Sequence, residues 1–250
     1  MSIHPVARHF ERAADDYERS RPSFPPEAID HLRCELDLRP GRTVLDLAAG
    51  TGKLTRLLVA TGARVIAVEP LAGMRAVLER EVPEACAMEG VAEAIPLPAG
   101  SVDAVTVAQA FHWFDRDPAY REIHRVLGPG GPLALVWNTR DPSSPLQTGI
   151  TSLLEPLRGA SSIAREYDAP ARAALFGDWE IWTHPWAEEY DRDRLRTRFR
   201  SVSFVAGLPE PEQTEILDRV VAVAAGFPER FDFPYVTEVF ICRRQTSRHK

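Results

Sequence analysis

Between residues 43 and 138 the chain alternates short aliphatic runs with amphipathic ones, and this alternation restricts the fold more than any other feature. TVLDL (43–47), ARVIAVEP (63–70), ACAMEG (85–90), SVDAVTVAQA (101–110) and PLALVWN (132–138) read as five strands. The segments between them read as helices or loops. LTRLLVATG puts Leu54, Leu57 and Leu58 on one helical face before Gly62, and Ala72 to Glu81 does the same with Met74, Val77 and Leu78. AEAIPLPAGS is a loop, and YREIHRVLGPGG is a short helix with a glycine stop. Strands joined by such crossovers form a parallel sheet covered by helices.

After Asn138 the rhythm breaks. Residues 139–176 mix polar turns with a helical stretch, read as a cap insertion that lids the site. The tail supplies a sixth strand (GDWEIWTHPWAEE), a helix (LPEPEQTEILDRVVAVAAG) and a seventh strand (FPYVTEVFICRR) that closes a strand pair. The expectation is an α/β protein with a Rossmann-like, doubly wound, seven-stranded sheet, mostly parallel with the last strand antiparallel, and a helical cap insertion. It forms one domain over 1–250: an N-terminal helical cap segment (1–40), a cofactor-binding core (41–138), the cap insertion (139–176) and the C-terminal part of the sheet (177–250).

With 44% apolar residues the chain can bury a substantial core, and a formal net charge of -6 argues against general attraction to nucleic acid or an anionic membrane. The opening residues lack the apolar core of a secretory signal, so a cytoplasmic protein is expected. Cys34, Cys86 and Cys242 have no metal or disulfide spacing, and they read as reduced structural thiols.

In open α/β sheets ligands bind beyond the carboxyl ends of the strands, where the turn from Ala48 to Gly52 lies. Glu69 ends the second strand seventeen positions after Gly52, a spacing at which a carboxylate can bond a ribose diol. Together these features point to an adenosine-containing ligand. The turn lacks the third glycine of the dinucleotide fingerprint. Asp46 precedes it, where a pyrophosphate is repelled and a sulfonium carrying an ammonium group is welcome. Charge therefore favours S-adenosylmethionine over a nicotinamide cofactor.

On the residues VLDLAAGTG, VIAVEP, GVAEAIPLP, SVDAVTVAQAFHWF and LGPGGPLALVWN, in that order, the chain resembles the class I S-adenosylmethionine-dependent methyltransferases. Within them it is similar to the small-molecule "type 11" group that includes trans-aconitate methyltransferase-like proteins. The resemblance implies that Gly50 and Gly52 pack on the methionine part of the cofactor, with Ala48 in place of the usual first glycine, and that Asp46 orients its amino group through water. It gives Glu69 both ribose hydroxyls, Pro70 and Met74 the adenine face, Ala92 and Glu93 the adenine edge, and Gln109 a place near the methionine group. Val91 stands where many relatives have an aspartate. FERAADDYERSRPSFP is similar to the family's opening segment, in which Tyr17 and Arg21 close over the cofactor carboxylate.

Methyl transfer from a sulfonium needs mainly alignment, and a general base only for acceptors such as hydroxyls. His112, three residues beyond Gln109, is the candidate for that base, with packing beside Trp113 and Phe114 as its alternative role. His4, His9, His31, His124, His184 and His249 lie away from the strand-end loops and show no metal-ligand spacing. Phe111, Trp113 and Trp137 are placed to contact a substrate, whereas Trp179, Trp182 and Trp186 fit the core equally well. YDRDRLRTRFR carries arginine at every second position from Arg192 to Arg200. These read as a solvated helical face paired with Asp191 and Asp193, or as one or two anchors for an anionic substrate.

The reading that follows is a methyltransferase acting on a small-molecule acceptor at O, N or C, as monomer or homodimer. Nucleic-acid methylation is disfavoured because Gln109-Ala110-Phe111-His112 stands where amino-methylating enzymes carry Asn/Asp-Pro-Pro-aromatic. The alternative is a protein of the same fold that binds S-adenosylmethionine without transferring methyl, in a pericyclase-like or regulatory role.

Overall fold

The computed structural model of the chain describes residues 14–158 and 170–245. His4, His9, His249 and parts of the expected N-terminal cap and cap insertion lie outside them. The first half runs α1 (Ala14–Ser20), α2 (Pro26–Glu35), β1 (Thr43–Leu47), α3 (Lys53–Val59), β2 (Arg64–Val68), α4 (Ala72–Glu81), β3 (Cys86–Met88), β4 (Ala104–Ala108) and α5 (Arg116–Val126). The second half runs β5 (Pro132–Arg140), α6 (Pro145–Arg158), α7 (Pro170–Leu175), β6 (Glu180–Tyr190), α8 (Arg192–Arg200), α9 (Ser203–Ala206), α10 (Glu210–Val223) and β7 (Phe231–Arg243). No helix among the described residues is long and apolar enough to cross a membrane.

The strands form one seven-stranded sheet in the order β3-β2-β1-β4-β5-β7-β6. Neighbours from β3 to β5 pair in parallel, and β7 runs antiparallel to both β5 and β6. This is the expected doubly wound, Rossmann-like sheet with its last strand reversed. Its reversal of strand order lies between β1 and β4, and that places the ends of β1, β2 and β4 around one crevice.

Alternation within buried strands sorts side chains to two faces. Leu45, Leu47, Ile66, Val68, Val105, Val107, Leu133 and Leu135 enter one core with Ile123 and Val126 of α5. Val44, Val65, Ala104, Ala134 and Val136 enter the other, against Leu32, Leu54 and Leu58. Each fully buried aliphatic side chain contributes about 1.5–3 kcal/mol, so these two layers fix the register of the crevice. A third core lies away from the parallel strands, where α6, α8 and α10 pack through Leu154, Leu195, Phe199 and Leu217 on Phe231, Phe233 and Tyr235 of β7.

The described part of the cap insertion, residues 139–158 and 170–176, does not sit over the strand ends. Leu146, Ile150 and Leu154 of α6 point into the third core, and none of the described residues of 139–176 lines the main cavity. Their apolar face is satisfied by α10 and β7 and is not available to cover the strand ends.

Gly52, with φ +89°, turns the chain from the loop into α3, and a Cβ there would lie 2.5 Å from Leu78 Cδ1 and 3.0 Å from Val82 Cγ2. Gly52→Ala should therefore cost on the order of 3 kcal/mol from left-handed strain and overpacking. Gly100→Ala, at φ +64° with open space around it, should cost about 1 kcal/mol. Urea unfolding of both variants checks this, and equal losses would contradict it.

Candidate functional site

Asp46, near the end of β1, is buried at 1% exposure beneath the loop. Thr55 Oγ1 donates to its Oδ2 at 2.6 Å and Thr106 Oγ1 to its Oδ1 at 3.0 Å, which ties β1 to α3 and β4. Burial pushes its pKa up to about 6 even though both hydroxyl bonds favour the anion. Above Asp46 the chain enters the left-handed region at Ala48 (φ 56°) and Gly50 (φ 60°). The Gly50 N–H then points at Glu69 Oε2, 2.9 Å away, while the Leu71 N–H donates to Oε1 at 2.9 Å. Burial again raises the pKa of Glu69, opposed by these two amides and by Arg75. One carboxylate is thus held between two loops, each oxygen keeping acceptor capacity toward the cavity.

That cavity measures about 920 Å³. Tyr17, Arg21, Ala48, Gly50, Glu69, Pro70, Met74, Ala92, Glu93 and Gln109 all line it, together with His112 and Trp113. Gly50 has open space where a Cβ would project, as close approach of a ligand requires. Gln109 adopts φ 58° at the end of β4 and reaches the Asn138 carbonyl at 3.3 Å. Glu93 accepts from the Asp115 N–H at 2.8 Å, which fixes the loop after β3 to the start of α5.

Four expected residues stand elsewhere. Asp46 and Gly52 are off the wall, the first enclosed by two threonines and the second packed on α4. Phe111 is 1% exposed, against Tyr120 and Phe114, because the short 3-10 turn Phe111–Trp113 directs its first residue inward and the next two outward. Trp137 shares its strand face with Leu133 and Leu135, so it enters the core and backs His112 at 5.4 Å between ring centroids. Of the other tryptophans, Trp182 stacks on His31 at 4.7 Å and Trp186 on Tyr235 at 5.2 Å, and neither Trp182, Trp186 nor Trp179 lines the cavity.

The cover over the strand ends comes from two distant parts of the chain. Glu18 of α1 accepts from Thr51 Oγ1 at 2.6 Å and pairs with Arg56 at 3.1 Å, which seats α1 on the glycine turn. Ala14 and Tyr17 pack on Leu71, Met74 and Val77. Arg21 Nη2 donates to the Ser201 carbonyl at 2.8 Å, and Asn138 Nδ2 to the Ser23 carbonyl at 2.7 Å. Pro22 and Phe24 from one side, with Arg198, Val202 and Phe204 from the other, complete the wall. Of the residues after β6, sequence reasoning reached Arg198 only as one of the five arginines from Arg192 to Arg200, and it missed Val202 and Phe204.

Residues 45–135 match the family model described as a methyltransferase domain. The chain is 39% identical over 246 residues to an uncharacterized methyltransferase of Mycobacterium tuberculosis, covering 95% of each. It is 33% identical over 196 residues to the demethylmenaquinone methyltransferase of Corynebacterium urealyticum, covering 75% of this chain and 82% of that one. Among solved structures it is similar in fold to Haemonchus contortus phosphoethanolamine N-methyltransferase 2 in complex with S-adenosyl-L-methionine, with a TM-score of 0.58 and 16% identity over 98% of this chain and 61% of the other.

The raised pKa of Asp46 sets a pH dependence. Between its ordinary value near 4 and about 6 the folded chain holds a proton that the unfolded chain has released. The stability contributed by neutral Asp46 is complete below that window and is lost as pH rises through about 6, by about 3 kcal/mol. The stability of Asp46→Asn relative to wild type should therefore increase from pH 4 to pH 7 in paired thermal melts. A constant difference would contradict the assignment.

Proposed function

The chain belongs to the class I S-adenosylmethionine-dependent methyltransferases, and from that premise we propose that its cavity holds the cofactor along the ends of β1, β2 and β4 beside a small-molecule acceptor. The observation that carries this reading is Glu69, a buried carboxylate fixed by the Gly50 and Leu71 amides with its remaining acceptor capacity toward the cavity. A vicinal diol is the complement of such a group. When bound, the cofactor supplies an activated methyl group on a sulfonium.

Each wall residue then has a defined task. Glu69 takes the ribose hydroxyls, Pro70 and Met74 form the adenine face, and Ala92 with Glu93 meets its edge. Gly50 and Ala48 allow close backbone approach at the methionine part, which Gln109 borders, and Tyr17 with Arg21 covers its carboxylate. Asp46 acts from below the loop as a buried negative charge favouring an ammonium group. It is not a direct ligand. His112 faces the cavity with its ring against Trp113 at 4.4 Å, and its imidazole is the candidate general base for a hydroxyl acceptor.

A cavity of about 920 Å³ lies near the top of the roughly 300–1,000 Å³ range of small-molecule sites, enough for the cofactor and one compact partner. The similar proteins include enzymes named for a demethylmenaquinone and for phosphoethanolamine, so acceptor chemistry has to come from this chain's own wall.

Glu69→Ala should weaken S-adenosylmethionine binding roughly a thousandfold in calorimetric titration, the loss of two charge-assisted hydrogen bonds, with no binding of NAD by either protein. Undiminished affinity would remove Glu69 from the site. His112→Ala should leave cofactor affinity within about threefold while lowering turnover on a hydroxyl acceptor about a hundredfold or more. An unchanged rate would leave His112 as wall only.

A further inference from the structure

The five arginines of α8 are not equivalent. Arg192 donates to the Ala224, Phe227 and Pro228 carbonyls, Arg194 pairs with Glu188 over the Tyr190 ring, and Arg196 pairs with Asp218. Arg200 is exposed. Arg198 alone turns into the cavity. Its Nε and Nη1 are buried with no hydrogen-bond partner among the described residues, and Nε of Arg21 is in the same condition.

The groups around these two cations are tyrosines. Tyr235, Tyr190 and Tyr17 surround Arg198, and the same three with Arg198 surround Arg21. Tyr235 offers Arg198 a hydroxyl contact, and the Tyr190 and Tyr235 hydroxyls bond each other at 2.9 Å. No carboxylate is among these neighbours. Two guanidinium groups in a partly desolvated cleft repel each other, and arginine stays charged at neutral pH, so the described residues named around them supply no anion to balance them.

We propose that Arg198 is the anchor for an anionic group, a carboxylate or a phosphate, carried by the methyl acceptor. This rests on the reading above, in which Arg21 and Tyr17 take the carboxylate of the cofactor. Two unbalanced cations then meet two anions, one from each ligand. Trp113, Phe114, Val202 and Phe204 give the rest of this wall an apolar character. The acceptor is therefore a small acid with an apolar body, oriented by its charged end. Arg198 is a binding residue for specificity and takes no part in proton transfer.

The test uses the full-length protein saturated with S-adenosylhomocysteine, titrated calorimetrically with succinate and with inorganic phosphate. At least one should bind. Arg198→Gln should weaken it tenfold or more, Arg198→Lys should weaken it less, and Arg200→Gln should leave it unchanged, while affinity for S-adenosylhomocysteine stays within about threefold in all three. Preference between the two probes separates a carboxylate from a phosphate.

Binding of neither anion to the wild type would overturn the inference, as would anion binding that survives Arg198→Gln. A tenfold loss of S-adenosylhomocysteine affinity in Arg198→Gln, with 5′-methylthioadenosine affinity unchanged, would place Arg198 on the cofactor carboxylate instead and overturn it too. Failure of the wild type to bind S-adenosylhomocysteine would remove the cofactor reading and this inference together. Cofactor binding without anion binding removes the inference alone. If Arg198→Gln does not fold, the comparison of Arg198→Lys with wild type carries the same decision.

Discussion

A buried carboxylate is tolerable only when its charge is compensated, and the site is organised around one that is. Glu69 sits at 5% exposure between two loops, and its compensation comes from backbone amides at positions 50 and 71. Aiming the first of those amides requires the chain to pass through left-handed conformations at Ala48 and Gly50. For Ala48 this costs on the order of 1 kcal/mol, which the surrounding bonds must offset. The paired threonines on Asp46 and the Ala49 N–H bond to the Val68 carbonyl at 3.1 Å hold the loop in place while it does so. The geometry of the glycine turn and of the start of α4 thus meets at a single acid after β2.

Closure of the cavity depends on the meeting of two remote segments. The Glu18 carboxylate draws α1 onto the glycine turn through Thr51 and Arg56, and Arg21 then reaches the corner between α8 and α9. The third core keeps α8 where it can receive that contact, since Leu195 and Phe199 are anchored while Arg198 between them faces inward. The strand-end side of the cavity is built from the central sheet, and the wall that covers it from the N-terminal segment and the C-terminal helices.

Much of the strand-end side of the cavity was legible because strands and turns are local. Continuous aliphatic runs placed β1, β2 and β5, and the interval from Gly52 to Glu69 is set by one helix and one strand. Directions inside a short turn are not local in the same way. Whether Phe111 or His112 faces the cavity depends on how the turn docks against Tyr120, and Trp137 reads as a wall residue until its neighbours Leu133 and Leu135 show which face it shares. The arginine repeat is ambiguous for a geometric reason. Residues two apart on a helix lie about 200° apart, so the spacing scatters five cations around α8, and only the packing of Leu195 and Phe199 selects the one that points in. The described part of the insertion packs away from the cavity because an apolar helical face says that it will be buried and leaves its partner unspecified. For α6 that partner is α10 and β7.

The most direct measurement of the central claim is the crystal structure of the protein with S-adenosylhomocysteine. The account predicts both ribose hydroxyls within about 2.5–3.0 Å of the Glu69 carboxylate, with the Gly50 and Leu71 amide bonds retained. A ribose placed away from Glu69, or a carboxylate that abandons either amide to reach it, would contradict it.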